Sequence, residues 1–368
     1  MNESTCGKLS VISLLGGEEF ADQVDGYLKQ WRSQNETFII KPSWPRFGTG
    51  EGKCMLHDTM RGHDVYIIAD TFNHGVTYKM FGVDRPMSPD EHFQDLKRLI
   101  CAIEGKANRI SVIMPMLYEG RQHKRIVRES LDCAMALQEL VSMGVKNILT
   151  FDAHDARVQN AIPAHGFDNV HPTYQMLKAL HFDYPDIRFD KDKFMIISPD
   201  EGGMSRCIYY SSVLGIDLGM FYKRRNYAVV VDGRSPIEAH EYLGRSVKGK
   251  DVIVVDDMIS SGESMFEVAQ RLKEKGASRI FIFASFGLFC NGLDRFDAAY
   301  AEGLFDKIYT TNLIYRPEGL RDRDWYTEVN MCKYVALLID TLNYDRTISQ
   351  LINPVDRIKK LLAKMENE

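Results

Sequence analysis

Short unbroken apolar runs alternate along the chain with apolar residues at helical spacing. Residues 9–15, 37–41, 64–69, 109–115, 146–151, 194–198, 217–222, 252–255, 279–284 and 306–311 read as strands, the purest of them suited to burial on both faces of a parallel sheet. Helical spacing predicts helices at 18–31, 91–106, 128–143, 173–181, 265–272, 329–342 and 353–365. Phe93, Leu96, Ile100 and Ile103 share one such face behind Pro89, which suits the first turn of a helix. Met265, Val268, Ala269 and Leu272 share another, and Gly276 stands where that helix stops. Strands alternating with helices make an α/β fold. The order helix, Gly, basic residue, apolar strand, acids occurs at 144–152 and again at 249–257, a faint echo of two related halves. Two stretches fit no element: 70–89, long and rich in Gly, Pro and aromatic residues, and 316–325, whose dense charges read as a small exposed insertion.

Length and composition narrow this picture. A chain of 368 residues exceeds one typical domain and suggests two. With 45% hydrophobic and 26% charged residues it has the composition of an ordinary soluble protein, and a net charge of −5 argues against general nucleic-acid binding. The seven cysteines are scattered without paired or CxxC spacing, which reads as reduced thiols in a cytoplasmic protein. The N-terminus has no signal-peptide layout, and no run of about 18 apolar residues occurs, so neither secretion nor membrane insertion is expected.

The chemistry concentrates where strands end. After the run Val252–Val255 come Asp256 and Asp257, which are expected to close the strand, then Ser260, Ser261, Gly262, Glu263 and Ser264 ahead of a helix. Backbone N–H groups of such a loop, the serine hydroxyls and the positive end of the helix can surround a phosphate dianion. The acids are badly placed for that phosphate and suit a ligand with hydroxyls to donate. A ribose 5-phosphate fits both halves of the loop; an ordinary strand end with a solvated acid pair is the bland alternative. Elsewhere, Arg121, Gln122, His123, Lys124 and Arg125 follow a buried strand and suit a mobile lid over nucleotide phosphates, or a solvated basic turn. His154 follows a strand end beside carboxylates, and Asp200 ends a strand just before Gly202 and Gly203.

The segment 256–264 resembles the phosphoribosyl-binding loop of type I phosphoribosyltransferases, and more narrowly that of the ribose-phosphate diphosphokinase (phosphoribosyl-pyrophosphate synthetase) family. The order of further segments carries the narrower resemblance over roughly residues 9–352. Arg121, Gln122, Lys124 and Arg125 match the family's basic lid, with His123 where an Asp is usual; residues 152–159 resemble its Asp-Leu-His segment; residues 198–203 resemble its Ser-Pro-Asp-x-Gly-Gly; Lys223 and Arg225 match its Lys-x-Arg. Residues 46–52 resemble, loosely, the segment that contacts the nucleotide, with Thr49 in place of an acid or amide. Residues 70–89 look like an insertion relative to the family, and Phe286 replaces a histidine.

The resemblance implies two tandem type I phosphoribosyltransferase-like domains, residues 1–172 carrying the ATP lid and oligomer contacts and 173–330 the sugar-phosphate loop, with closing helices in 331–368. It implies transfer of the diphosphoryl group of ATP to ribose 5-phosphate. ATP would meet Phe47, Glu51, Arg121, Gln122 and Lys124; ribose 5-phosphate would meet Asp256, Asp257, Ser260, Ser261, Gly262, Glu263 and Ser264. Mg²⁺ would lie near His154 and Asp200, and Lys223, Arg225 and His154 would serve catalysis. Family members form dimers and hexamers through their N-terminal halves, so a homo-oligomer is expected. The competing readings are a catalytically weak regulatory homologue, which the departures at His123, Phe286 and Ser260 favour, and a type I phosphoribosyltransferase, which the basic lid and the Lys-x-Arg disfavour.

Overall fold

In the computed structural model, residues 5–225 and 237–367 are described, with the side chains of 223–225, 237–240 and 367 outside that description. The chain divides into two compact units. The first runs to Pro172 and also takes Asn312–Tyr315 and Asn330–Asn353; the second holds the rest.

In the first unit the order is β1 (Lys8–Ser13), α1 (Glu18–Arg32), β2 (His63–Ile68), β3 (Thr77–Met80), β4 (Val83–Pro86), α2 (Pro89–Ile103), β5 (Arg109–Ile113), α3 (Asp132–Ser142), β6 (Asn147–Phe151) and β7 (Gly166–Val170). A parallel sheet ordered β1-β2-β5-β6-β7 is covered by helices, and Ile12, Val65, Ile67, Leu96, Leu99 and Val112 lie in its core. Helix α2 begins where the sequence predicts because Ser88 and Glu91 form a reciprocal capping box in front of Pro89.

Several expectations give way here. The strand expected at 37–41 shrinks to one bridge, Val11 with Ile39, because Asp25 accepts from Phe38 N–H and from the Thr37 hydroxyl and Pro42 has no N–H to extend a ladder. The helix expected from residue 128 starts only at Asp132; upstream, Ile126 and Val127 are exposed and give a helix no face to bury. Strand β7, whose polar sequence carries no strand pattern, forms because β6 offers an edge to pair with. The stretch 70–89 folds in part into the hairpin β3–β4, turned by Phe81 and Gly82, both at positive φ.

The second unit continues with α4 (Thr173–Asp183), β8 (Phe194–Ser198), α5 (Met204–Leu214), β9 (Asp217–Arg225), β10 (Ile237–Leu243), β11 (Asp251–Ile259), α6 (Glu263–Glu274), β12 (Ile280–Gly287), α7 (Asp294–Ala301), β13 (Lys307–Thr311) and β14 (Tyr326–Val329); then α8 (Cys332–Asn343) and α9 (Ser349–Ile352) return to the first unit and α10 (Val355–Asn367) to the second. Its sheet is ordered β10-β9-β8-β11-β12-β13-β14, parallel except for β9–β10. From β8 the chain goes outward to β9 on one side, then returns to β11 on the other, so the β8–β11 boundary is a topological switch point.

The stretch 316–325 is not an exposed insertion throughout. Leu320 and Trp325 are buried; the Trp325 ring stacks on Phe296 at 5.6 Å and its Nε1–H donates to Asp297 over 2.7 Å. Val329 then ends a strand rather than starting a helix, since Tyr326–Val329 pair with β13. The closing residues do not form a piece of their own: α8 packs on α1, and α10 packs on α4 and α5. No helix among the described residues is long and apolar enough to cross a membrane.

Removing the Trp325 ring leaves a cavity amid Phe289, Phe296 and Phe305 and takes one donor from Asp297, which keeps the Arg323 guanidinium. Trp325→Ala is expected to cost about 3–5 kcal/mol, read as a fall in the urea midpoint of the second unit.

Candidate functional site

In the second unit the acid pair lies inside β11 rather than beyond it. The ladder with β12 runs on past the acids, Asp256 opposite Ala284, Met258 opposite Phe286 and Ile259 opposite Gly287, so backbone pairing carries two carboxylates to the end of a buried strand. Asp257 is buried and Asp256 partly so, and the Asp256 carboxylate accepts the Asp257 N–H over 2.8 Å. Burial and the neighbouring Asp257 charge push the Asp256 carboxyl well above the usual carboxylate range, against the Arg206 guanidinium.

The loop turns at Gly262, at φ +85°, where a Cβ would meet the Phe296 ring at 2.4 Å. Only glycine fits there, and it is the N-cap of α6 without a side-chain cap, so the first-turn N–H groups are offered to whatever lies over the loop. Ser264 and Glu263 are exposed, Ser260 and Ser261 half-buried, and Glu263 pairs with Arg295 at 2.7 Å. Beneath, Leu288 and Cys290 N–H groups donate to the carbonyls of Ile259 and Ser260. Phe286, in the place of a family histidine, is buried within β12.

Asp200 stands at the end of the neighbouring strand β8. Its Oδ1 accepts the Gly203 N–H over 3.0 Å while its carbonyl accepts the Ser198 hydroxyl over 2.7 Å, a local clamp that leaves the other carboxylate oxygen for a ligand. Lys223 and Arg225 sit at the end of β9, which pairs with β8 on its other side; their side chains lie outside the described residues. Pairing of β9, β8 and β11 thus brings three of the expected groups to one sheet edge.

In the first unit the segment expected to act as a lid leaves β5 through Tyr118, whose ring stacks on Phe93 at 4.3 Å and whose hydroxyl donates to Asp90 over 2.8 Å. Arg121, Lys124 and Arg125 are exposed and Gln122 half-buried. His123 turns inward: its Nδ1 is 3.0 Å from Asp155 Oδ2 and its ring meets that of His154 edge-on at 5.5 Å. His154 itself is exposed, one residue past Ala153, whose N–H is held by Asn169. Burial lowers the His123 imidazole, opposed by Asp155, and the Arg157 guanidinium holds Asp155 far below the usual carboxylate range. An open cleft of about 490 Å³ lies alongside, lined by His123, Lys124, Cys133, Gln138, Asp155 and Arg157.

Residues 46–52 form a tight reversal, Phe47 N–H to Glu51 O at 2.8 Å and Gly50 N–H to Phe47 O at 2.9 Å, with Phe47 exposed. The β3–β4 hairpin supports it. Phe81 N–H donates to Gly48 O over 2.8 Å, Met80 packs where a Gly50 Cβ would stand, and the Arg46 guanidinium lies over Tyr78 at 4.8 Å while pairing with Asp95 at 2.5 Å. Both the lid and this reversal therefore rest on α2, through Phe93 and Asp90 and through Asp95 respectively. Sequence reasoning missed the hairpin's support, Arg206 and the His123–Asp155 contact; only the placement of Arg206 three residues after Gly203 gave a local hint of any of them.

Among the described residues no group of three or more His, Cys, Asp or Glu gathers as a metal cage. His154 in the first unit and Asp200 in the second each offer a single donor, and a hard cation held by one side chain takes its remaining oxygens from ligand phosphates and water.

The chain matches two family models: the N-terminal domain of ribose phosphate pyrophosphokinase over residues 9–144 and the phosphoribosyl transferase domain over 174–293. It is 26% identical to a ribose-phosphate pyrophosphokinase of Vibrio vulnificus over 312 residues, 84% of this chain and 90% of that protein. It is 30% identical to one of Ureaplasma parvum over 277 residues, 73% of this chain and 74% of that protein. The crystal structure of phosphoribosylpyrophosphate synthetase from Mycobacterium smegmatis has a similar fold, with a TM-score of 0.74 at 22% identity over 91% of this chain and 98% of that one.

Because the folded protein holds the Asp256 proton more tightly than the unfolded chain does, the ligand-free protein loses stability as pH rises from about 4 through the raised value. Asp256→Asn is expected to flatten that fall and raise the denaturation midpoint at neutral pH, measured by urea unfolding at several pH values; an unchanged pH profile would show Asp256 ionised in the fold.

Proposed function

The chain belongs to the ribose-phosphate pyrophosphokinase family, and from that premise we propose how its own residues transfer the diphosphoryl group of ATP to the C1 hydroxyl of ribose 5-phosphate. The oxygen of that hydroxyl bonds to the β-phosphorus, the bond from that phosphorus to the bridging oxygen of AMP breaks, and the hydroxyl proton is lost to solvent. The products are 5-phosphoribosyl 1-diphosphate and AMP.

Ser260 to Ser264 receive the 5-phosphate on the first-turn N–H groups of α6 and the serine hydroxyls, while Asp256 and Asp257 take the ribose hydroxyls. The observation that carries this is Gly262: packed against the Phe296 ring, it turns the chain into α6 just past the buried strand that carries the acid pair. A sugar hydroxyl donating to the pair favours the ionised form, offsetting the burial that holds the Asp256 proton in the free protein. Phe47 and Glu51 meet the nucleotide base end, and Arg121, Gln122 and Lys124 its phosphates. Lys223 and Arg225 stabilise charge on the transferring group. His154 and Asp200 would hold Mg²⁺, which when bound neutralises charge on the phosphate oxygens. Alignment and charge neutralisation do most of the work, since phosphoryl transfer asks little covalent chemistry of a protein.

A phosphoribosyltransferase needs only the second unit's loop, whereas the match to the diphosphokinases runs through both units. The family's assembly supports a homo-oligomer of this chain, to be read by sedimentation, and the scattered free cysteines support a reducing, cytoplasmic setting.

The direct test incubates the purified protein with ATP, Mg²⁺ and ribose 5-phosphate and follows AMP and 5-phosphoribosyl 1-diphosphate together by chromatography. Matched formation of both is expected; neither product from folded protein, with phosphate added, points to a regulatory homologue. Lys223→Ala is expected to lower kcat by about 100-fold or more with the KM for ATP nearly unchanged. Asp257→Ala is expected to raise the KM for ribose 5-phosphate by about tenfold, and an unchanged KM would remove the sugar assignment.

A further inference from the structure

The lid holds one residue that its nucleotide role does not use. From Arg121 to Arg128 the run is exposed except at Gln122 and His123, and the chain past Arg125 leads outward through Ile126 and Val127. The His123 side chain is 12% exposed and that of Asp155 13%, so both have given up water to meet. Asp155 is fixed independently of the lid: its Oδ1 accepts the Arg157 N–H over 2.9 Å at the start of the short helix Ala156–Ala161, and the Arg157 guanidinium grips both carboxylate oxygens. A carboxylate so held only accepts, so the contact requires the proton on His123 Nδ1. The family pattern has an Asp in the place of His123. An Asp here would set one carboxylate against another in a half-buried site, so the usual residue is incompatible with Asp155.

We infer that His123 and Asp155 form a latch that seats the lid of this chain on the loop carrying His154, with His123 a positioning residue for the nucleotide phosphates. Tyr118 anchors the near end of the lid on α2, Glu119 turns it at φ +54°, and the latch anchors the far end. Arg121, Lys124 and Arg125 are left exposed between and beside the two anchors, able to meet phosphates without first being ordered. The departure from the family at position 123 is thereby a change of lid attachment and not a loss of the lid. The inference rests on the nucleotide reading of the lid given above.

The test compares His123→Asp, His123→Ala and His123→Asn in the full chain, by steady-state kinetics and by limited trypsin cleavage after Lys124 and Arg125. Asp repels Asp155, Ala offers no donor, and Asn keeps an N–H that can donate to it. The Asp and Ala variants are expected to raise the KM for ATP by about tenfold and speed cleavage in the lid, with the KM for ribose 5-phosphate unchanged. The Asn variant is expected to stay within about twofold of the parent in both measures. Parent-like lid cleavage in the Asp variant, or an Asn variant that behaves like Ala, overturns the latch. Arg121→Ala separates the two claims: if it leaves the KM for ATP unchanged the nucleotide reading of the lid fails, while the cleavage rates still decide the latch.

Discussion

Strand β11 is clamped between β8 and β12 by two parallel ladders, and the chemistry of the second unit hangs on that clamp. Val252 to Val255 are wholly buried, each contributing about 1.5–3 kcal/mol, and this apolar stem holds an otherwise costly acid pair at its end. Asp256, desolvated beside the Asp257 charge, resists ionisation there; a short strand with little buried surface would fray. The Phe296 ring under Gly262 then fixes where the chain turns from the strand into α6.

The first unit is built around a different tie. Asp64 on β2 receives the Arg109 guanidinium through two contacts of 2.8 Å and the Asn343 amide over 2.8 Å, and Arg109 also donates to the Leu342 carbonyl over 2.7 Å. Removing one member of such a buried charged set commonly costs about 3–5 kcal/mol, more than any exposed pair on the surface contributes. It explains why α8, remote in sequence, belongs with the sheet of the first unit. That sheet in turn presents α2 as the platform on which the β3–β4 hairpin, the reversal at 46–52 and the segment that starts at Tyr118 all rest.

Departures from the family pattern acquire physical meaning on this scaffold. His123 faces a carboxylate that a second Asp would repel, Phe286 is buried within β12, and the β3–β4 hairpin braces the reversal that exposes Phe47.

By itself the sequence determined the α/β alternation, the helix start at Pro89, the stop at Gly276 and the turn at Gly262 between a buried strand and a helix, because apolar period, capping and turn chemistry are local properties. Tertiary structure decided the rest. Strand β11 runs through its acids because β12 continues to pair with it; residues 37–41 fall short of a strand because Asp25 takes their donors; Trp325 is buried because Phe296 and Asp297 receive it. The closing helices divide between the two units because each buries its apolar face on a different partner. The meeting of His123 with Asp155 is likewise a long-range contact, made by side chains that only the fold brings together, and no local pattern encodes such a contact.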